Sequence, residues 1–577
     1  MIKKDNMRKV FYIVFFFFVQ LTCLGQIELP LKKVAQEQVF VHLNTSFLIT
    51  GETLYYKIYC INSETNKLSG LSKISYVELV DASLNVVAKS KVRLNQGCGY
   101  GDFFIPTSLA SGSYKLLAFT RWMRNENLLY EHDVLIINPF IENQFENKKN
   151  KESTDNFNSE SATIQNKINP IFSLELPKTV YQPRKEVKFK VKSLTGLTMA
   201  GRYSVSVKKK LPFKVPKLKT SVNYSDIYKN NNGLKEREAF LPEFRGELIE
   251  GVLVNQVTGE PVSSRNIALS IPGKTPLFKN SFTNQNGQFF FNILDTYNSD
   301  SALVYTLGTS NEAESNLEIK IKNDPQMDYS FLAFRNLDFD ENDESFLLNE
   351  VINNQIENSY LSVKRTIIQD EKPPELFYGS EVKDYYLDDY KRFATLKETF
   401  VEVIENAWIA KRNNDHYFET KKDTKKSDYR LPTLLFMDGI LIEEHKDIIE
   451  YKAYDIEKIS VLIDRYIYGS LMFDGLISIK TKNGDYKKPS GSFKEIKLTK
   501  PVSNKVYYRP DYSKPETNKR IPDYRSQLLW EPNLELKADN QYISFFTSDN
   551  LGDYIINVEG FTHDGAPVSI KKEISIE

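Results

Sequence analysis

The side chains with the widest chemical range in this chain are scattered. His42, His132, His416, His445 and His563 each stand alone in the sequence. No two have the i, i+4 spacing that places a pair of zinc ligands on one helix face. Past residue 25 only Cys60 and Cys98 remain of the three cysteines, too few for a cysteine-rich metal site. Asp338-Phe-Asp340-Glu-Asn342-Asp343-Glu344 offers oxygen ligands at alternate positions, as a calcium loop does. Its sixth position is Asp343 where the sharp turn needs Gly, and its twelfth is Asn349 rather than Glu, so a solvated acidic loop is expected. Adjacent carboxylates such as Glu443-Glu444 and Asp388-Asp389 would point to opposite sides of a strand. No Gly-rich phosphate loop, nucleophile elbow or H-E-x-x-H motif occurs. The sequence therefore nominates no catalytic residue, no metal ligand and no cofactor. A non-enzymatic chain is expected, with a hydrolase assembled from distant residues as the alternative.

The elements that could position such residues are mostly strands. Tyr and Phe number 33 and 37, a composition that suits pleated, half-buried surfaces. Lys+Arg and Asp+Glu are both 76, so no bulk field draws nucleic acid or anionic lipid. At 577 residues, three to five units are expected. Residues 1–25 read as a signal peptide: Lys3, Lys4, Arg8 and Lys9 precede the apolar run Val10 to Val19, and cleavage after Gly25 would leave Gln26 first. Leu21-Thr22 ahead of Cys23 lacks the small residue of a lipidation site. Export to the periplasm or the outer membrane is the expected localisation. No later segment could span a bilayer as a helix. In an oxidising compartment Cys60, ending one strand-like run, and Cys98, opening another, could form a disulfide; two buried free thiols are the alternative.

Residues 26–140 alternate strand patterns with turn signals, as a sandwich does. Phe47-Leu-Ile-Thr-Gly51-Glu52-Thr-Leu-Tyr-Tyr-Lys57 resembles the opening of macroglobulin-like domains. Gly97-Cys98-Gly99 is followed by Tyr100-Gly101, not by the Glu-Gln that a macroglobulin thioester requires, so covalent capture is not expected. Residues 141–169, rich in Asn, Lys, Glu and Ser, read as a polar linker. The opening motif recurs without gaps at Val180-Tyr-Gln-Pro183-Arg-Lys-Glu-Val-Lys-Phe-Lys190, with Arg184-Lys185 in place of Gly-Glu. Residues 170–244 are read as a second macroglobulin-like unit with its connector. Within it, the six lysines of Lys208 to Lys219, interrupted by Pro212 and Pro216, read as a solvated connector. Residues 245–323, with Gly251-Val-Leu-Val-Asn, Thr258-Gly-Glu-Pro261 and Asn284-Gln-Asn-Gly287-Gln-Phe, resemble the carboxypeptidase regulatory-like sandwich. Its Thr258-Gly259 and Asn286-Gly287 are hairpin turns.

After a connector at 324–369, residues 370–485 open with the capping box Thr395-Leu-Lys-Glu398. Residues Asn413 to Arg430 read as a charged loop. Asp438-Gly439, Asp455-Ile-Glu-Lys-Ile, Tyr468-Gly469 and Gly475-Leu-Ile-Ser-Ile-Lys480-Thr-Lys482-Asn-Gly484 follow in an order that resembles the plug domain of TonB-dependent receptors. Such a receptor would next need a barrel of ~22 strands of ~10 residues each, and 92 residues follow Asp485. The C-terminal unit, 486–577, supplies three strands that are marginal alone and must pack on or complete an earlier sandwich. The fold expected is mainly β, with serial Ig/macroglobulin-like and regulatory-like sandwiches followed by a small α+β plug-like domain. The resemblance is to exported bacterial proteins of this domain order. It implies a non-enzymatic binding or scaffold protein of the cell envelope, with an envelope or outer-membrane protein as partner, which could be accessory to a TonB-dependent system. A plug supplied to a separately encoded barrel is the transport alternative.

Overall fold

The computed structural model describes residues 36–141, 172–194, 200–228, 240–273, 276–307, 316–323, 327–334, 343–369, 378–379, 381–412, 415–421, 431–468, 471–487, 493–513, 520–536 and 541–577. The signal-peptide segment, nearly all of the linker, Gly469 and residues 338–342 of the acidic stretch lie outside them.

The first sandwich packs the sheet Glu37–Leu43, Thr53–Asn62, Cys98–Phe104 against a five-stranded sheet. The latter runs Phe47–Ile49, Tyr130–Ile137, Gly112–Phe119, Ile74–Val80, Val86–Arg93. Leu54, Tyr56, Ile58 and Cys60 alternate along one strand into a core with Val77, Leu79, Leu116 and Val134.

The second sandwich repeats this order strand for strand. Its small sheet is Phe172–Glu175, Glu186–Ser193, Tyr542–Phe546. Its large sheet is Val180–Tyr181, Pro567–Ile576, Gly552–Thr562, Gly201–Lys209, Gln527–Leu536. In both sandwiches the short second strand, Phe47–Ile49 or Val180–Tyr181, pairs parallel with the last strand. The turn after it also matches: Arg184 takes a left-handed φ of 55°, as Gly51 does at 93°. Four of its eight described strands come from the C-terminal residues, which complete this earlier sandwich. Residues 210–526 are spliced into a hairpin whose counterpart in the first sandwich is the turn between Ile74–Val80 and Val86–Arg93.

A second interruption lies inside the first. The third sandwich pairs Gln288–Ile293, Glu247–Asn255, Leu317–Ile321 in one sheet. Its other sheet is Leu277–Phe282, Asn266–Ile271, Ser301–Thr306, Phe493–Lys497. The last of these strands arrives only after the mixed α/β unit has been completed. The mixed unit has the sheet order Lys383–Tyr386, Ile456–Tyr468, Leu471–Thr481, Leu434–Met437, Ile440–Leu441. Helix Leu396–Glu402 starts at its expected capping box, where Thr395 Oγ1 accepts from Glu398 N–H at 3.3 Å and Glu398 accepts from Ala394 N–H at 3.0 Å. The stretch expected as a loop contains the strand Asp415–Thr420, hairpinned to Ala407–Arg412. Phe418 anchors it in the core between Phe400 and His445, overriding the surrounding charge.

The lysine-rich connector is strapped down. Phe213 meets Phe47 edge-on at 5.1 Å, and Leu211 and Val215 cover Ile49, Leu135 and Ile137 together with Leu347 and Val351 of helix Glu344–Ser359. Lys208 and Lys209 pair with Glu52 and Glu350 at 2.7 and 2.9 Å.

Candidate partner-binding cleft

The plug-like motif residues are brought together, but as the frame of the mixed unit. Asp438 is buried, and its carboxylate accepts from the N–H and hydroxyl of Thr481 at 2.8 and 2.6 Å and from Tyr486 N–H at 3.0 Å. Gly484 N–H donates to the same Thr481 hydroxyl at 2.9 Å. Asp455 C=O accepts from Lys482 N–H at 2.9 Å. Gly475 has φ 87°, and a Cβ there would lie 2.1 Å from Thr420 Oγ1. Gly439 lies so close to Pro276 that a Cβ would meet it at 2.1 Å. Tyr468 donates to Phe278 C=O at 2.7 Å, tying the mixed unit to the third sandwich. Lys480 forms a solvent-facing pair with Glu457 at 3.1 Å.

Cys60 and Cys98 are buried and free in this structure, the second of the two states the sequence allows. The register sets Cys98 opposite Tyr59, so Cys60, one residue on, leaves the opposite face of the sheet. Burial raises both thiol pKa values above their ordinary value.

One serine–histidine contact has the composition of a hydrolytic site. Ser204 Oγ lies 2.6 Å from His42 Nδ1, and His42 Nε2 lies 3.1 Å from Asn557 Nδ2. With the amide donating to Nε2, the ring proton sits on Nδ1 and is donated to Ser204, the reverse of a base. Burial pushes the His42 pKa down to about 3, and Tyr59 hydroxyl occupies Ser204 at 2.9 Å. Ser204 and His42 are 0% and 1% exposed, sealed between the first two sandwiches. This is a packed polar joint. His445, its imidazole lowered to about 4 by burial, accepts from Phe418 N–H at 2.9 Å. Among the described residues no cluster of three or more metal-ligating side chains forms.

The feature that sequence reasoning missed is a cleft of about 1090 Å³ between the first and third sandwiches. Three sheet edges border it: Val86–Arg93, Leu317–Ile321 and Phe493–Lys497, each terminal in its sheet. Register fixes which backbone groups are unpaired there. Lys322 N–H donates inward to Glu250 C=O and Leu498 N–H inward to Asp300 C=O. The alternate residues Ile319 and Ile321, and Glu495 and Lys497, therefore turn their N–H and C=O groups outward. On Val86–Arg93 the outward C=O of Lys91 is taken by Val502 N–H at 2.8 Å, which leaves Lys89 open.

Lining charges are unbalanced. Lys89, Lys91, Arg121, Arg124, Lys320, Lys322, Lys494 and Lys497 stand against Glu78, Glu247, Glu250, Glu318 and Glu495. The deep charges close on each other across the joint, Lys91 with Glu247 and Arg121 with Glu250, both at 2.5 Å. Tyr329 donates to Glu78. Lys89, Lys494 and Lys497 are exposed at the rim, without a carboxylate partner among the described residues. Unpaired strand edges and surplus positive charge together suit an extended, acidic segment, because added strands bind through the backbone and select through charge. The lysine pairs at 320/322 and 494/497 are visible in the sequence, but nothing there says that strands so far apart share a cleft.

The architecture defines a class: a mainly β protein of nested sandwiches carrying a small α+β unit, with no described helix long and apolar enough to cross a membrane. No protein-family model and no curated protein matches the chain. Among solved structures it is similar to the alpha-2-macroglobulin of Salmonella reacted with methylamine, at 9% identity and TM-score 0.24, covering 94% of this chain and 39% of that one. It is also similar to trypsin-activated alpha-2-macroglobulin from Escherichia coli, at 10% identity and TM-score 0.24, covering 94% and 42%. A third is the Yersinia pseudotuberculosis adhesin InvE, at 9% identity and TM-score 0.13, covering 49% and 57%. The chain spans about two-fifths of the length of the macroglobulins.

Proposed function

We propose that this chain is an exported, non-enzymatic binding or scaffold protein of the cell envelope. It holds an extended acidic segment of a partner protein along the edge strands of the cleft between its first and third sandwiches. The observation that carries the reading is the convergence of three terminal sheet strands, two of them open and the third partly open, on a cleft with surplus lysine at its rim. Export rests on the N-terminal signal pattern at Lys3 to Gln26. We read the third sandwich as carboxypeptidase regulatory-like and the mixed unit as plug-like, on the motif residues given above, and the partner as an outer-membrane protein, with a TonB-dependent system among the candidates.

Supplying a plug to a separate barrel is the weaker reading. The mixed unit shares its core with the third sandwich, Phe278 meeting Phe436 edge-on at 4.9 Å and Tyr468 closing on Phe278 C=O. Leaving for a barrel would break that core.

The test uses the full chain with two fluorescent peptides, alternating Glu-Val and alternating Lys-Val. The acidic peptide should bind, weaken as salt is raised, and be lost in the Lys89→Glu, Lys494→Glu double variant. Equal binding of both peptides, or indifference to the charge reversals, rejects the cleft. Protease protection in spheroplasts separately tests export.

A further inference from the structure

A smaller cavity, about 210 Å³, lies where the first sandwich, the second sandwich and helix Glu344–Ser359 meet, away from the lysine-rimmed cleft. Its walls are aromatic and amide-rich. Tyr55 stacks on Trp530 with centroids 5.8 Å apart, and Tyr508 and Tyr524 line the same space half-buried. Neither Tyr508 nor Tyr524 has a ring or cation against its face among the described residues.

The charges around the cavity are already spent on one another. Lys208 pairs with Glu52 at 2.7 Å, and Lys364 pairs with Glu357 at 2.7 Å. A charged ligand would have to break one of these pairs in a partly desolvated place. Several neutral groups, in contrast, lack partners. The side-chain amide of Asn353 and the hydroxyls of Tyr508 and Tyr524 make no hydrogen bond to any described residue, although neighbouring Asn354 donates to Thr50 C=O at 2.9 Å. The indole N–H of Trp530 likewise has no acceptor among the described residues.

An uncharged ligand with one apolar face and a girdle of hydroxyls answers both halves of this lining. Its C–H face covers a tyrosine ring while its hydroxyls satisfy the amide and phenol groups. The volume is below the ~300–1,000 Å³ of sites for drug-sized ligands, which points to one ring. We infer that this joint is a binding site for a single neutral pyranose unit of a glycan.

Saturation-transfer NMR on the full chain tests the assignment, with methyl β-D-glucopyranoside, methyl β-D-galactopyranoside, the methyl glycoside of N-acetylglucosamine, and glucuronate as the charged comparator. At least one neutral glycoside should receive saturation and glucuronate should not. Tyr508→Ala and Asn353→Ala should each weaken that binding at least tenfold, while Tyr542→Ala, an exposed residue outside the lining, should leave it unchanged. Should Tyr508→Ala fail to fold, Tyr508→Phe removes the hydroxyl alone and should still weaken binding severalfold. Silence from every neutral glycoside, preference for glucuronate, or binding that ignores both substitutions overturns the proposal. These outcomes are independent of the acidic-peptide test, which reads a different cleft.

Discussion

Asp438 and Thr481 are joined by two hydrogen bonds, one from the threonine backbone N–H at 2.8 Å and one from its hydroxyl at 2.6 Å. This contact explains physically why an Asp-Gly turn and a Thr-Lys-Asn-Gly turn occur together in the mixed unit. The first supplies a buried carboxylate, and the second supplies the donors that the carboxylate needs.

Removing that carboxylate strands several buried donors at once. Asp438→Ala should destabilise the mixed unit by about 3–5 kcal/mol, and Asp438→Asn, which keeps one acceptor oxygen, by about 2 kcal/mol. Thermal unfolding monitored by the near-ultraviolet signal measures both. Equal costs for the two variants would show that shape rather than hydrogen bonding matters at this turn.

The two thiols should be silent in the native protein. Cys60 and Cys98 lie on opposite faces of adjacent strands, and burial disfavours the reactive thiolate. Alkylation of the chain from Gln26 onward, followed by mass spectrometry, should give no label when folded and two labels in denaturant without reductant. Labelling in denaturant that appears only after reduction would restore the disulfide.

Two buried carboxyls make the joints pH-dependent. Glu243 is raised to about 7, chiefly by burial, with Tyr76 hydroxyl, Leu248 N–H, Glu247 and Arg121 facing it. Glu559 is raised to about 7 by burial, which outweighs the opposing hydrogen bonds from Ser221 and Ser569 and the charge of Lys571. A carboxyl with a raised pKa in the folded chain favours folding while it stays protonated. Its contribution is complete below its ordinary value of 4.5 and is lost as pH rises through about 7. Each could contribute on the order of 3 kcal/mol. Compared with the Glu243→Gln, Glu559→Gln double variant, the wild-type chain should lose stability between about pH 5 and 8. Parallel stability curves across that range would remove both groups from the account.

Local chemistry was legible in the sequence, and long-range pairing was not. Alternation gave the strands of the first sandwich, the Thr395–Glu398 box gave its helix, and the recurrence of Phe47 to Lys57 at Val180 to Lys190 foretold a second sandwich. That recurrence reaches the turn itself, where Arg184 accepts the backbone that Gly51 takes freely. Strand periodicity names a face but no partner. Nothing in Gly552–Thr562 announces that it pairs with Gly201–Lys209, and the Asp415–Thr420 strand was hidden by its charged neighbours until Phe418 found Phe400. The cleft was illegible for the same reason. Lys89, Lys320 and Lys494 meet only through a nested topology.

That nesting makes the most demanding prediction. The second sandwich takes Phe172–Glu175, Val180–Tyr181, Glu186–Ser193 and Gly201–Lys209 from before the insertion, and Gln527–Leu536, Tyr542–Phe546, Gly552–Thr562 and Pro567–Ile576 from after it. Val205, Val207, Tyr554, Ile556 and Val558 fill one core drawn from both halves. Neither half keeps a closed hydrophobic face by itself, and isolated strand pairs are marginal in water. A chain ending at Lys500 should therefore lose protection over residues 172–209 in hydrogen exchange while the third sandwich, whose strands all precede Lys500, keeps its slow amides. A fragment of residues 501–577 should be unstructured alone and should restore that protection when mixed with the truncated chain. Were the C-terminal strands an independent domain, the fragment would fold unaided and residues 172–209 would not respond to its loss.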